Sequence, residues 1–324
     1  MNRRHALSLF AGAATFGPLS PHAQPAKKPP LVGFLHPGLR ARGSSTMDAL
    51  RRDMLEQGSV DGVAVRLEER WGGGQPMLPL AKELVALGAD VIIAVARPSI
   101  DAARAATTTI PIVGNDLEND PVQSGWVASL GRPGGNLTGL FLDAPTMCGK
   151  WLQQITELVP NLKTVEVLWD AATGPYQRDT LLTSAKAAGL GASIIEYRGT
   201  GTIEAVLEAG LPAGAQALVQ LGSPLFNQSG EQIASVLASR RLPGISPFRT
   251  FAAGGGLVSY GADLVAMYRR LVPFVTKVLR GTRPGDIPIE QPSKFELVLN
   301  LNTAKALGLV VPAKFLVSAD EVIE

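Results

Sequence analysis

Residues Val91–Gly114 read VIIAVARPSIDAARAATTTIPIVG, and this stretch decides the fold class. Val91–Val95 is a short apolar run of β-branched residues, which predicts a buried strand. Pro98 and Ser99 are typical of a helix start, and the pattern that follows predicts a helix to Ala106. Pro111–Gly114 is a second short apolar run. Strand, helix and strand in this order predict a βαβ unit with parallel strands.

The same alternation continues on both sides of this unit. Before it, the pattern predicts strands at Leu31–Leu35 and Val63–Glu69; after it, further strands follow at Val165–Trp169, Ser193–Tyr197 and Ala217–Leu221. Helical patterns separate these runs. Two series of strands with a similar rhythm predict an α/β protein made of two Rossmann-like lobes with mainly parallel sheets.

The boundary between the lobes is placed at a turn-rich break. A helix is predicted at Val122–Leu130, and the break Arg132–Asn136 then precedes a strand at Leu137–Leu142. The last part of the chain is too short for a third domain, so its elements are expected to complete the two sheets. The expected division is residues 30–136 with 257–285 in lobe 1, and 137–256 with 286–324 in lobe 2, joined by a multi-strand hinge.

The first 23 residues have the order of a secretory signal. Arg3 and Arg4 precede a mildly apolar run, Ala6–Leu19, and small residues lead to a cleavage point after Ala23. The apolar run is shorter than the roughly 20 residues that a bilayer requires. Paired arginines before a weakly apolar segment are typical of the twin-arginine route. We therefore expect residues 1–23 to be a signal peptide and the mature protein to be periplasmic.

Composition excludes several classes of function. Without residues 1–23 the chain would keep 28 basic and 28 acidic residues, so no basic excess indicates a nucleic-acid partner. His36 would be the one remaining histidine, and Cys148 is the single cysteine. These two cannot build a Cys/His zinc site, and acid–base chemistry has few groups to draw on. No phosphate-binding glycine motif follows the first strand. We expect no enzyme activity, no metal and no cofactor.

Ligands of open parallel sheets lie outside the carboxyl ends of the strands. The candidate ligand-binding residues are therefore the polar and aromatic side chains that follow the predicted strands: His36, Arg97, Ser99, Asn115, Asp116, Trp169, Asp170, Tyr176, Ser223, Phe226, Phe248, Arg249 and Tyr260. This set suits a small molecule with an ionic end and an apolar body.

The segment Arg97-Pro98-Ser99 predicts a binding site for a carboxylate. With Pro98 as the first helical residue, free N–H groups and the Ser99 hydroxyl would face the cleft, where a helix start favours an anion. Arg97 would add a charge-assisted bond, and Arg249 is a second candidate. An ordinary capped helix beside surface arginines is an equal alternative for both.

Aromatic residues make up only 6% of the chain, so five of them near strand ends are informative. Trp169, Tyr176, Phe226, Phe248 and Tyr260 are expected to form a rim that stacks on an apolar or aromatic solute. Asp116 and Asp120 are candidates for an ammonium group, although Asp120 before Pro121 also fits a plain helix start. Core packing at a bend is the alternative for Phe248, as it is for Phe251.

Several motifs resemble one known family. They are LGRPGGNLTG at Leu130–Gly139, Pro247-Phe248-Arg249, Gly255-Gly256-Leu257 with Ser259-Tyr260-Gly261, QPSKFELVLNL at Gln291–Leu301 and AKALGL at Ala304–Leu309. Together they make the chain resemble the ABC transporter substrate-binding protein family with the type I periplasmic-binding fold, in the group related to aromatic-amino-acid binders.

The resemblance implies two Rossmann-like lobes joined by three crossovers, a ligand in the cleft, and a membrane permease with an ATPase as partners. It implies a non-catalytic solute-binding protein of an ABC importer, here for a small carboxylate-bearing, amino-acid-like or aromatic solute. A lobe that senses the ligand for a membrane receptor is the alternative. The chain departs from the family pattern at Arg97, at Trp169–Ala172 and at Gly222–Pro224, near the expected pocket.

Overall fold

The computed structural model describes residues 28–40, 44–57 and 65–324. The predicted signal peptide, residues 1–23, lies outside the described residues. Twelve strands are described: β1 Leu31–His36, β2 Arg66–Trp71, β3 Val91–Val95, β4 Ile112–Asp116, β5 Leu137–Phe141, β6 Thr164–Asp170, β7 Gly191–Tyr197, β8 Leu218–Gln220, β9 Gly244–Ser246, β10 Val258–Ala262, β11 Phe295–Asn300 and β12 Glu321–Ile323.

Helices alternate with these strands over most of the described chain. They are α1 Ser44–Gln57, α2 Met77–Ala86, α3 Ala96–Ala106, α4 Ala144–Leu158, α5 Tyr176–Ala187, α6 Ile203–Gly210, α7 Pro224–Gln228, α8 Gly230–Ser239, α9 Arg249–Ala253, α10 Leu264–Leu279, α11 Leu301–Leu307 and α12 Ala313–Ser318.

The strands form two separate sheets. The first has the order β2-β1-β3-β4-β5 and is parallel throughout, and the second has the order β12-β11-β10-β9-β8-β6-β7. In the second sheet β11 runs antiparallel to β10, while the other pairs are parallel. The predicted α/β fold with two Rossmann-like lobes is confirmed.

Side-chain alternation along the strands explains why each sheet is covered on both faces. In β1, Val32 and Phe34 pack on one face with residues of α1 and α10, whereas Leu31 and Leu35 pack on the other with residues of α2 and α3. All six residues of β1 are buried. Strands buried on both faces need continuous apolar sequence, and this is the pattern of the first sheet.

Two of the expected lobe boundaries are wrong by one strand. β5 was assigned to lobe 2, but it pairs with β4, with Asn115 opposite Leu140, and so belongs to the first sheet. β10 was assigned to lobe 1, but it pairs with β9 and β11 in the second sheet. In both cases the strand to which β5 or β10 is hydrogen-bonded decides its lobe. The local sequence of a strand does not indicate which other strand it pairs with.

The chain consequently crosses between the lobes at three places. It leaves lobe 1 after β5, returns between β10 and α10, and leaves again after Glu290, whose N–H still bonds to Gly139. Two glycines of the motifs named above allow close backbone approach here. A Cβ on Gly139, which has φ +141°, would lie 2.0 Å from the Gly114 oxygen, and one on Gly261 would lie 1.9 Å from the Pro247 oxygen.

The predicted helix at Val122–Leu130 is wrong, because this segment forms turns. The Asp120 carboxylate accepts hydrogen bonds from the N–H groups of Val122 and Gln123, and the Pro121 carbonyl accepts from Trp126. Gly125 then adopts φ +68°. The side-chain cap and the left-handed glycine end the helical path within one turn.

Candidate ligand-binding cleft

Strand ends and helix starts of both lobes meet around one cavity of about 350 Å³, including its opening to solvent, which we call the central cavity. Lobe 1 contributes the carboxyl ends of β1, β3 and β4, the start of α3 and the start of α10. Lobe 2 contributes α7 and the residue before α9. The lining residues are His36, Val95, Ala96, Asn115, Leu117, Glu118, Pro224, Asn227, Phe248, Leu264 and Tyr268.

His36 ends β1 and supplies a neutral imidazole to the cavity. Its Nδ1 accepts a hydrogen bond from the Gly38 N–H at 2.9 Å, so the ring proton lies on Nε2. The ring packs against Trp71 with 4.6 Å between ring centroids. Burial lowers the pKa of His36 to about 3. The side chain is therefore an uncharged donor at neutral pH.

Helix α3 begins at the cavity wall, two residues earlier than expected. It starts at Ala96, which has φ +59°, so Pro98 is its third residue rather than its first. No side chain caps this helix start. Arg97 and Ser99 do not line the cavity. The carboxylate site predicted at Arg97-Pro98-Ser99 is thus reduced to the helix start itself, which favours an anion.

Two buried polar atoms near the ends of β3 and β4 have no hydrogen-bond partner among the described residues. They are Asn115 Oδ1 and Ser99 Oγ. Asn115 is 4% exposed and lines the central cavity, whereas Ser99 is fully buried. A buried polar atom without a partner is costly, and nearly all such atoms in folded proteins are paired. Asn115 Oδ1 is therefore positioned to accept a hydrogen bond from a donor in the cavity.

Three buried carboxyl groups lie close to the cavity. Asp116 accepts hydrogen bonds from the N–H groups of Glu118 and Asn119, and Asp170 accepts one from the Ser223 hydroxyl at 2.7 Å. Burial raises the pKa of Asp116 to about 6 and raises the pKa of Asp170. Burial, with the charge of Asp116 beside it, raises the pKa of Glu118 well above its usual value.

The entrance to the cleft is a wider space that we call the mouth. It lies between the Pro37–Leu39 and Gly73–Gln75 segments of lobe 1 and the Asp170, Tyr197 and Ser223 side chains of lobe 2. Pro224 borders both the mouth and the central cavity. The predicted residues Asp170 and Ser223 therefore lie at the entrance rather than at the centre.

The lobes touch across the cleft through polar bonds. The Gln177 side chain of lobe 2 donates to the Leu117 carbonyl of lobe 1 at 3.1 Å, and its Oε1 accepts from the Gly222 N–H. Arg97 lies against Gly174 of lobe 2. A Cβ atom added to Gly174 would be only 3.0 Å from the Arg97 side chain. The described arrangement is a closed cleft.

Arg97 lies outside the central cavity and already has partners. Its guanidinium donates to Asn119 Oδ1 at 3.1 Å, pairs with Asp101 at 3.3 Å and sits 5.6 Å from the Trp126 ring centroid. Together with Tyr176 it borders a separate open groove at the side of the cleft. The charge-assisted bond predicted from Arg97 to a carboxylate in the cleft is therefore not supported by its position.

Arg249 is fixed on the other side of the cleft. It forms two hydrogen bonds to the Glu321 carboxylate, at 2.7 and 2.6 Å, and its side chain is 54% exposed. A bidentate partner of its own chain occupies the donors that a ligand carboxylate would need. The second predicted carboxylate clamp is not formed.

The predicted rim of five aromatic residues does not form. Phe226 is fully buried in the lobe 2 core against Tyr197, and Trp169 packs in that lobe with its Nε1 bonded to the Gly174 carbonyl. Tyr260 stacks on Phe295. Phe248 alone among the five lines the central cavity, at 3% exposure.

Several lining residues escaped sequence reasoning. Leu117 and Glu118 lie just beyond β4, three and four residues past the predicted strand Pro111–Gly114, so a search extended that far past each predicted strand would have included them. Tyr268 and Leu264 reach the cavity from α10, which lies more than a hundred residues later in the chain. Including more residues after each predicted strand would find Leu117 and Glu118. No local sequence pattern indicates that Leu264 and Tyr268 reach the cavity.

No helix in the described ranges has the length and apolar character that crossing a membrane demands. Within the same ranges, no three or more His, Cys, Asp and Glu side chains are grouped so as to hold a metal ion.

Two α/β lobes, three crossovers and a cleft at the strand ends define a two-lobed solute-binding protein, a class that binds ligands without transforming them. The profile of the family described as ABC transporter substrate binding protein matches residues 32–323. The chain belongs to this family.

Known relatives agree with this membership. The tyrosine-binding protein of Clostridioides difficile (strain R20291) is 27% identical over 286 residues, which cover 85% of this chain and 78% of the relative. The solved structure of an ABC domain in complex with L-Trp from Streptococcus pneumoniae is 23% identical, with a TM-score of 0.82 over 91% of this chain and 100% of the other.

A third comparison is with the ligand-free, open structure of a substrate binding protein with adhesive properties from Clostridium difficile. It is 20% identical, with a TM-score of 0.63 over 91% of this chain and 99% of the other. These structural likenesses concern the fold.

Proposed function

We propose that the protein is the extracytoplasmic solute-binding component of an ABC importer and that the central cavity captures a small aromatic amino acid or a close analogue. The observation that carries this proposal is the cavity itself, since strand ends and helix starts of both lobes line it together. A solute held there contacts both lobes at once, so its binding energy favours the closed cleft.

Neutral donors would hold the solute carboxylate. His36 lines the cavity with its proton on Nε2, and the uncapped start of α3 lines it at Ala96. A helix start favours an anion by roughly 0.3–1 kcal/mol when exposed and by more when partly buried. Neither Arg97 nor Arg249 is needed in this arrangement, because both already pair within the chain.

The aromatic part of the solute would lie against Phe248 and Tyr268. Phe248 reaches the cavity from lobe 2, and Tyr268 reaches it from lobe 1. Aromatic pairs contribute about 0.5–1.5 kcal/mol beyond the area that they bury. The tyrosine-binding relative and the L-Trp complex support a solute of this size and chemistry.

Delivery to a membrane permease and its ATPase completes the proposal. It requires export, for which Arg3, Arg4 and the apolar run Ala6–Leu19 support a twin-arginine signal and a periplasmic location. The importer would recognise the closed lobes, as the family membership supports.

A calorimetric screen of the purified chain without residues 1–23 tests the ligand. Aromatic amino acids should bind, whereas sugars and dicarboxylates should not. Leu264→Trp, which fills the central cavity, should abolish binding, and the matched control Leu55→Trp, at a site 70% exposed on α1, should leave it unchanged. Binding by sugars alone would overturn the proposal.

Reconstitution tests the transport role. The partner permease and ATPase of this proposal, reconstituted in liposomes, should hydrolyse ATP faster when the loaded protein is added. Stimulation of a neighbouring histidine kinase instead, without any effect on the ATPase, would assign the protein to sensing.

A further inference from the structure

We propose that Glu118 and Asn115 form a recognition site for a primary ammonium group at one end of the central cavity. The ligand class would then be amino acids and arylalkylamines rather than aromatic carboxylates. This inference rests on the proposed function, in that the ammonium belongs to the same solute.

Glu118 is the one acidic residue that lines the central cavity within the described chain. It is 2% exposed, and its Oε2 accepts a hydrogen bond from the Leu117 N–H at 3.2 Å. Its Oε1 accepts none from another described residue, and no described Lys, Arg or His forms an ion pair with it. Glu118 thus lines the cavity with one carboxylate oxygen that accepts no hydrogen bond from another described residue.

The neighbouring acids increase the negative potential at this end. Asp116 is bonded to two backbone N–H groups and to the Asn119 amide, so it stays in place and offers little to a ligand. Asp170 approaches from the other lobe. The charges of Asp116 and Asp170 both act with burial to raise the pKa of Glu118. A cation entering the cavity reverses this penalty, since an opposite charge favours the ionised carboxylate.

Asn115 supplies an independent observation. Its Oδ1 is buried, lines the same cavity and has no donor among the described residues. Only a hydrogen-bond donor satisfies this atom, and in the described arrangement no residue supplies one. An ammonium group carries three N–H donors on one small centre, which suits the two acceptors that Glu118 and Asn115 bring to the same cavity.

Matched ligands and one isosteric substitution test the inference. Calorimetry would compare tyrosine, tryptophan and phenylalanine with their amines and with the corresponding 3-arylpropionates, which lack the ammonium. The wild-type protein should bind the ammonium-bearing compounds at least tenfold more tightly than the arylpropionates. Glu118→Gln should lower the affinity for amino acids and amines at least tenfold and leave that for arylpropionates unchanged or higher.

Glu157→Gln is the control, because it makes the same substitution at an exposed residue of α4 that does not line the central cavity. It should keep the preference for ammonium. Circular dichroism of each variant establishes that it is folded.

The outcomes separate the two proposals. Amino acids that bind Glu118→Gln as tightly as the wild type, or arylpropionates that match amino acids on the wild type, would overturn the ammonium site and leave the proposed function intact. Amines that bind while amino acids do not would support the site and overturn the proposed solute. No binding by any of the nine compounds would overturn both.

Discussion

Gln228 of lobe 2 holds Leu39 of lobe 1 across the cleft by both ends of its side-chain amide. Its Oε1 accepts from the Leu39 N–H at 2.9 Å, and its Nε2 donates to the Leu39 carbonyl, also at 2.9 Å. Both residues border the mouth. A paired contact of this kind is present only when the lobes meet, so it stabilises the closed state directly.

Replacement of Gln228 by alanine should therefore shift the lobes toward the open state. Two hydrogen bonds, each with a net contribution of about 0.5–1.5 kcal/mol, would be lost from the closed form alone. Calorimetry should show ligand affinity falling roughly 5- to 100-fold. Gln153→Ala, on the exposed face of α4, is the control and should bind normally. Equal ligand affinity of Gln228→Ala and the wild type would show that the Gln228–Leu39 contact does not stabilise the closed state.

Substitutions of Phe248 and Phe226 should distinguish a residue that contacts the ligand from one that only packs in the core. Both are buried in lobe 2, yet only Phe248 lines the central cavity. Phe248→Leu should weaken binding of an aromatic amino acid at least fivefold, because the ring contact between wall and solute is lost. Phe226→Leu should lower the free energy of unfolding by about 1–2 kcal/mol with near-normal affinity. Titration calorimetry measures the affinity and urea unfolding measures the stability. Loss of affinity in Phe226→Leu, with normal affinity in Phe248→Leu, would contradict the assignment of Phe248 to the cavity wall.

Arg249 should contribute little to binding, since its guanidinium pairs with Glu321. Exposed ion pairs contribute about 0–1 kcal/mol, so Arg249→Ala should reduce stability by no more than that. Ligand affinity should change less than twofold. A tenfold loss of affinity, with Glu321→Gln having no effect, would restore Arg249 as a carboxylate clamp.

His36 should make stability sensitive to acid. Its pKa is about 3 in the folded protein, against 6.5 for an ordinary histidine, because burial disfavours the charged ring. The unfolded chain takes up a proton below about pH 6.5 and the folded protein does not. The stabilisation is thus full above pH 6.5 and is lost as the pH falls toward 3.

Between pH 7 and 4.5 the wild type should consequently lose about 2–3 kcal/mol more unfolding free energy than His36→Gln. Urea unfolding at several pH values measures this difference. The buried acids Asp116 and Glu118 titrate in both proteins and act in the opposite direction, since burial raises their pKa values. Parallel curves for the two proteins would show that His36 is not held neutral.

Much of the site could be located from the sequence, because strand ends follow from local pattern. His36 and Asn115 follow the predicted strands Leu31–Leu35 and Pro111–Gly114, and the structure places both in the cavity lining. Glu118 was missed because only the residues directly after each predicted strand were taken as candidates. The direction of long side chains was not predictable, and Arg97, Arg249 and Trp169 turn to partners within the chain.

The amino-acid sequence by itself determined the α/β class, the two lobes and the family, since hydrophobic period, turn residues and motifs are properties of adjacent residues. Tertiary structure decided the rest. Only strand pairing assigned β5 and β10 to their sheets, and only the packing of α10 brought Tyr268 to the cavity. These contacts join residues far apart in the chain, and their free energy depends on burial and partner geometry that no local segment encodes.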